Sequence, residues 1–118
     1  MANINLDIQV NWNLVILSFE WELDEQNTDS TFSKIYDRFW EFRDINILLD
    51  LSKLKYIDSK SIWYISDIFS KTEDRDNKTA IIGCQPGILD IFELVWITLI
   101  IKCFDSKDKA LKYIHWTK

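Results

Sequence analysis

The N-terminal part of the chain alternates polar and apolar residues, the period expected of a strand with one buried face. Residues 4–10 place their apolar side chains on one face, namely Ile4, Leu6, Ile8 and Val10. The segment Asn11-Trp12-Asn13 supplies turn chemistry, and the apolar run Leu14–Trp21 follows it. The pattern therefore predicts two strands joined as a hairpin.

Four later segments repeat apolar residues at the three- and four-residue spacing of amphipathic helices. The first begins at Thr31 after a cap at Asp29 or Ser30, and its apolar positions are Phe32, Ile35, Tyr36, Phe39, Trp40 and Phe42. The second follows Asp58, and its apolar positions are Ile62, Ile65, Ile68 and Phe69. The third opens at Gln85-Pro86-Gly87, where proline suits the first helical turn, and continues through Ile91, Leu94 and Val95. The fourth begins at Asp105 or Ser106 and directs inward Ala110, Leu111 and Ile114.

Three near-continuous apolar runs separate these helices, as strands covered on both faces do. They are Ile45–Leu51, Thr79–Cys84 and Leu99–Phe104. The predicted order is β-β-α-β-α-β-α-β-α, and strands that alternate with helices form a largely parallel sheet. We expect a single α/β domain over residues 1–118, in which the hairpin adds an antiparallel edge to a mixed, mostly parallel sheet with packed helices.

Composition narrows the range of partners. A chain of 118 residues that is 47% hydrophobic can bury one core. Its net charge of -5 argues against a nucleic-acid partner and suits a basic protein surface better. The run Leu94–Ile101 is much shorter than the ~20 residues of a membrane span, and Met1–Gln9 lacks the apolar centre of a secretory signal. We expect a cytoplasmic protein without membrane insertion.

The residues that usually carry catalysis are scarce. The chain has one histidine, His115, near its end, and two glycines, which cannot form a nucleotide-binding glycine motif. Cys84 and Cys103 lack the spacing of a zinc site, and we interpret them as two buried thiols in strands rather than a disulfide. The sequence therefore predicts no enzyme, no metal and no cofactor.

One short polar element could still carry regulatory chemistry. Asp58 and Ser59 stand where the second helix begins. Free N–H groups and the helix dipole favour negative charge there, so a phosphate on Ser59 would not unfold the domain. The simpler alternative is that the pair only caps the helix, which is the more common role of such residues.

Three stretches resemble the STAS domains, and most closely the bacterial anti-sigma-factor antagonists. Leu17-Ser-Phe-Glu-Trp-Glu-Leu-Asp24 is similar to the family's second strand, which ends in Gly-Glu-Leu-Asp. Residues 48–62 are similar to its signature, Asp-Leu-Ser followed by Ile-Asp-Ser-Ser-Gly-Leu. Cys103-Phe-Asp-Ser-Lys-Asp-Lys-Ala-Leu111 is similar to its closing strand and helix.

The resemblance implies a function and a set of site residues. It implies that the chain binds an anti-sigma-factor serine kinase, that the kinase phosphorylates Ser59 and weakens the complex, and that a phosphatase restores it. Asp58 matches the residue before the acceptor serine, and Asp24 matches an acidic residue that lies near the acceptor in the family. The implied partner-binding residues are Asp24, Asp58, Ser59, Lys60, Ser61 and Trp63.

The chain departs from the family pattern at four positions. Lys60 replaces a second serine, while Ser61, Trp21 and Trp96 stand where the family usually has glycine. Lys60 places a positive charge beside the acceptor, where it could hold a phosphate or select a different partner. These changes concern partner choice and phosphorylation rather than the fold.

The sequence leaves open how Trp63 and Tyr64 pack, and it allows two further functions. Trp63 and Tyr64 lie off the inward stripe of their helix, so they either pack under a neighbouring helix or form an exposed interaction patch. The alternative function is a STAS scaffold that is not switched, in a stress-sensing complex or as the soluble subunit of a lipid-transport ATPase. An enzyme with an unfamiliar site is the third class.

Overall fold

The computed structural model describes residues 4–116 as five strands, four α-helices and a short 3-10 helix. The strands are β1 (Ile4–Asn11), β2 (Leu14–Leu23), β3 (Asn46–Ile57), β4 (Thr79–Ile82) and β5 (Lys102–Phe104). The helices are α1 (Thr28–Arg38), α2 (Ser59–Glu73), α3 (Pro86–Leu94), the 3-10 helix (Ile97–Leu99) and α4 (Lys107–Trp116). The order of strands and α-helices confirms the predicted β-β-α-β-α-β-α-β-α arrangement. The predicted domain limits of 1–118 extend outside the described residues at both ends.

The five strands form one sheet in the order β1-β2-β3-β4-β5. β1 pairs antiparallel with β2, while the three remaining pairs are parallel. Parallel neighbours need crossover connections, which α1, α2 and α3 supply. The sheet is therefore mixed and mostly parallel, as predicted.

Alternate residues of the central strands face opposite sides of the sheet and meet different helices. On one face, Val15 and Leu17 join a core that α1, α2 and α3 cover. On the other face, Leu14 and Ile16 join a smaller core with Ala110 and Ile114 of α4. This division explains why β2 and β3 read as continuous apolar runs, since helices cover both faces.

The first helix lies earlier in the chain than predicted. α1 begins at Thr28 rather than Thr31, and its N-cap residue is Asn27 rather than Asp29 or Ser30. It ends at Arg38, so Phe42 is not helical although its side chain is fully buried. Residues 27–30 are all types that favour caps, so the sequence pattern cannot select one of them.

Strand limits also differ from the prediction, most of all in β3, β4 and β5. β3 continues to Ile57 instead of ending at Leu51. β4 ends at Ile82, so the expectation that Cys84 lies in a strand is wrong, and both cysteines are half-buried free thiols. β5 begins at Lys102 because the 3-10 helix takes up the residues before it.

The last helix begins close to the predicted position. α4 starts at Lys107, and the Ser106 hydroxyl oxygen accepts a hydrogen bond of 3.2 Å from the Lys109 backbone N–H. Ser106, rather than Asp105, is therefore the capping side chain. Within residues 4–116, no helix has the length and apolar character needed to span a membrane.

Candidate functional site

Asp58 fixes the start of α2. Its backbone is extended, with φ -93° and ψ 169°, and its Oδ1 accepts a hydrogen bond of 2.8 Å from the Ser61 backbone N–H. This is the geometry of an N-cap, and the predicted capping role of Asp58 is confirmed. Ser59 is consequently the first helical residue, and it lies exposed at the end where α2 carries free N–H donors.

A buried hydroxyl cluster connects the starts of α1 and α2. The Thr28 hydroxyl oxygen lies 3.0 Å from each carboxylate oxygen of Asp58 and 3.0 Å from the Ser61 hydroxyl oxygen. It also lies 2.7 Å from the backbone carbonyl of Asp24. Because each hydroxyl has one proton, Thr28 can donate to one acceptor while it accepts from Ser61. The cluster thereby holds the two helix ends in one arrangement.

Ser61 has a different role from the one expected of it. Its side chain is 0% exposed, because the hydroxyl points toward Thr28 inside the cluster. The prediction that Ser61 contacts a partner is therefore wrong for its side chain. A glycine at this position would leave the Thr28 hydroxyl without that neighbour, so the serine stabilises the contact between the helices.

Asp29 joins α1 to α2 on the outer side of the same helix ends. Its Oδ2 accepts a hydrogen bond of 2.8 Å from the Lys60 ammonium, and its Oδ1 accepts one of 2.7 Å from the Tyr64 hydroxyl. The bond from Lys60, with the one from Tyr64, lowers the pKa of Asp29 below its ordinary value. The same contacts raise the pKa of Lys60 and of Tyr64.

The two aromatic residues of α2 behave differently. The Tyr64 ring stacks on Phe32, with the ring centroids 4.6 Å apart and the planes 10° from parallel. Tyr64 is thus packed between the helices, while Trp63 is 61% exposed. Trp63 lies four residues after Ser59, so both side chains emerge on one face of α2.

A hollow of about 550 Å³ lies beside the exposed hydroxyl of Ser59. The structure brings together four of the predicted site residues there, and the full lining is Asp24, Glu25, Gln26, Tyr56, Asp58, Ser59 and Lys60. Three carboxylates and one ammonium make this surface acidic, which favours a basic partner surface. Trp63 does not line the hollow, but it lies on α2, the helix that also carries Ser59 and Lys60.

Several residues of the site were missed by the sequence analysis. Asp29 was considered only as a candidate cap of α1, and Thr28, Glu25, Gln26 and Tyr56 were not selected as site residues. The end of β3 carried one usable signal, because apolar residues recur beyond Leu51, and buried Leu54 and Ile57 extend the strand to the start of α2. No local pattern could indicate the contact of Asp29 with Lys60, which are 31 residues apart.

Comparison with known proteins identifies the family. A sequence model of the STAS domain matches residues 5–110. The chain therefore belongs to the STAS domain family, as its resemblance to that family predicted.

Solved structures with the same fold include three of interest. A Thermotoga maritima protein assigned as an anti-sigma factor antagonist is 22% identical, with a TM-score of 0.85 over 92% of this chain and 93% of that one. An anti-sigma factor antagonist of Mycobacterium paratuberculosis is 13% identical, with a TM-score of 0.83 over 95% and 94%. The phosphorylated form of the Bacillus cell fate determinant SpoIIAA is 15% identical, with a TM-score of 0.70 over 96% and 100%.

Within the described residues, no group of three or more histidine, cysteine, aspartate or glutamate side chains is arranged to hold a metal ion. The site contains the exposed Ser59, an acidic hollow and an exposed tryptophan. Together these residues can bind a protein surface and can accept a modifying group.

Proposed function

We propose that this chain is an anti-sigma-factor antagonist that binds a serine kinase and is released from it by phosphorylation of Ser59. The observation that carries this proposal is the exposed Ser59 hydroxyl on the first residue of α2, beside an acidic hollow. The STAS family, together with fold relatives described as anti-sigma factor antagonists, supports the same assignment. In this role the chain is a cytoplasmic, non-catalytic binding module that extends over all of its residues.

The docking surface of this proposal is the exposed part of the site. Asp24 and Asp58 contribute acidic groups around the hollow, and Trp63 contributes an exposed aromatic anchor on the same side of α2. Aromatic anchors contribute strongly to protein interfaces, while acidic groups select a basic partner and speed its association. Lys60 stands between these groups and adds one positive charge.

The proposed switch is a single phosphoryl transfer. The Ser59 oxygen attacks the γ-phosphorus of ATP held by the kinase, the bond from that phosphorus to ADP breaks, and a base of the kinase takes the hydroxyl proton. The product adds about -1.5 to -2 charge at the helix start. A kinase holds nucleotide phosphates close to the acceptor, so the new group faces like charge and the complex weakens.

Backbone geometry explains why the modified domain stays folded. Asp58 satisfies the Ser61 N–H, while the remaining free N–H groups of the first turn favour a phosphate. The fold relative SpoIIAA has a structure in a phosphorylated form, which supports the compatibility of this fold with such a group. The modification therefore acts on the surface rather than on the core.

Phosphorylation in vitro tests the proposal. The purified chain is incubated with ATP and each anti-sigma serine kinase of the same cell, and incorporation of phosphate is located by mass spectrometry. We expect phosphate on Ser59, no incorporation in Ser59→Ala, and unchanged incorporation in Ser70→Ala, which alters another exposed serine of α2. Absence of phosphate with every such kinase contradicts the proposal.

One observation favours a second function. Trp63 is a large side chain that is 61% exposed, and an exposed aromatic anchor suits lasting attachment to a scaffold or to a lipid-transport ATPase. In that case Trp63→Ala abolishes capture of the scaffold or transporter subunits, and Ser59→Ala leaves it unchanged. Capture of a kinase instead, lost on phosphorylation, decides for the switch.

A further inference from the structure

The ion pair between Lys60 and Asp29 occupies an unusual position. Lys60 follows the proposed acceptor directly, and its ammonium lies 2.8 Å from Asp29 Oδ2 on the neighbouring helix. The two side chains are 58% and 61% exposed. An exposed pair of this kind stabilises a protein little, because water competes for both charges. Lys60 is therefore held loosely enough to change partners.

The charges around Ser59 leave a phosphate with one candidate counter-ion. Of the described residues, those that line the hollow include three carboxylates, from Asp24, Glu25 and Asp58, and Lys60 is the single basic residue among them. A phosphate on Ser59 would add its charge to these carboxylates. Lys60 is the side chain of the hollow that can offset this repulsion.

We propose that Lys60 is the internal counter-ion of phosphorylated Ser59, and that its ammonium moves from Asp29 to the phosphate when Ser59 is modified. This inference rests on the proposed function, because it needs a phosphate on Ser59. Asp29 keeps the hydrogen bond from Tyr64 and exposes its second oxygen. Phosphorylation thereby leaves the Asp29 carboxylate on α1 without its counter-ion, in addition to adding the new phosphate.

Reach and charge both support this exchange. Consecutive Cα atoms are ~3.8 Å apart, and the flexible four-carbon stem of lysine allows the ammonium to reach a neighbouring side chain. A phosphate of about -1.5 to -2 charge attracts the ammonium more strongly than the single charge of Asp29 does. Asp29 does not depend on Lys60 alone, since Tyr64 also donates to it.

The experiment uses the whole chain with phosphoserine placed at position 59 during translation, so no kinase is needed. The pKa of the phosphate is measured by phosphorus NMR at ~0.15 M salt, where distant charges are largely screened. We expect Lys60→Met to raise the phosphate pKa by roughly half a unit or more, about a threefold change in proton affinity. Lys71→Met is the matched control, because Lys71 is also on α2 and also paired with an aspartate, Asp67.

A second measurement separates direct contact from distant charge. Comparison of the modified and unmodified chains should show shifted NMR signals of the Asp29 carboxyl and the Tyr64 ring, and Lys60→Met should remove most of this shift. Equal phosphate pKa values in the unsubstituted, Lys60→Met and Lys71→Met chains overturn the inference. If the exchange is observed but no kinase modifies Ser59, the proposed function fails while the counter-ion role of Lys60 stands.

Discussion

The start of α2 and the end of α3 are held in opposite ways. At the start of α2, Asp58, Thr28 and Ser61 form hydrogen bonds of 2.8 to 3.0 Å that fix two helices relative to each other. After the middle of α3, the chain is anchored by buried Phe92 and Ile97 and exposes large apolar side chains, namely Leu94, Val95, Trp96, Leu99 and Ile100. Hydrogen bonds are directional and apolar burial is not. The difference shows that directional contacts fix the start of α2, while apolar burial anchors the end of α3.

The backbone gives the same contrast. Asp58 begins α2 from an ordinary extended conformation, whereas Trp96 ends α3 with φ 68°, in the left-handed region that favours glycine. Trp21 has φ 82° at the end of β2, so two of the positions where the family usually has glycine keep a left-handed backbone while carrying tryptophan. The chain tolerates strain away from the start of α2.

The largest effect should follow loss of the Asp58 carboxylate. Asp58→Ala removes the N-cap and takes an acceptor away from the buried hydroxyl cluster, and these losses together should lower the free energy of unfolding by about 2 kcal/mol. Urea denaturation measures this change. Asp58→Asn is the control, because its amide oxygen can still accept from the Ser61 N–H and should lose less than half as much.

The corresponding change in the apolar segment is Leu99→Ala. Leu99 is 74% exposed, so its truncation should change the free energy of unfolding by no more than about 0.5 kcal/mol. Equal losses from Asp58→Ala and Leu99→Ala would remove the contrast between the two regions.

A smaller effect should appear at the end of α3. In the folded state, Trp96→Gly removes the cost of a left-handed backbone, which is about 1 kcal/mol for a residue with a Cβ. Glycine also gives the unfolded chain more conformational freedom, which lowers the free energy of unfolding by roughly 0.5–1 kcal/mol. We therefore expect thermal and urea unfolding to show unchanged or slightly raised stability, although a whole indole is lost.

The neighbouring residue supplies the matched control. Val95 is also exposed but has φ -96°, so Val95→Gly relieves no strain and should lower the free energy of unfolding by roughly 0.5–1 kcal/mol. If Trp96→Gly destabilises the chain more than Val95→Gly does, the tryptophan side chain stabilises this turn and the strain argument is wrong.

The sequence predicts the fold and the start of α2 because local and tertiary preferences agree there. Asp58 separates the apolar pair Tyr56 and Ile57 from residues with helical spacing, and aspartate is a strong cap former. Position 59 could therefore be placed at a helix start from the sequence. The final strand was predicted, but its start could not be, because the β-branched residues before Lys102 favour a strand while the left-handed turn at Trp96 directs them into a 3-10 helix.

The rest of the site depends on which helices become neighbours. Ser61 is a polar residue on a helix, so sequence alone places it outward, and only the approach of Thr28 explains its burial. The pairing of Asp29 with Lys60 likewise requires α1 to lie beside α2. Such contacts follow from tertiary packing and carry no local signal.

The smallest effect concerns the outer contact between α1 and α2. The folded state lowers the pKa of Asp29 below its ordinary value of 3.8, chiefly through the hydrogen bond from Lys60. The ionised carboxylate therefore adds stability above pH 3.8, and this part is lost as the pH falls through the lower pKa of the folded state.

Free energies of unfolding measured from pH 7 to pH 2 should show the unsubstituted chain and Asp29→Asn differing at neutral pH and converging in acid. High salt should narrow the difference at neutral pH, since both charges are exposed. A difference that stays constant across the whole pH range would mean that the carboxylate charge does not connect these helices, and the buried hydroxyl cluster alone would then hold the start of α2.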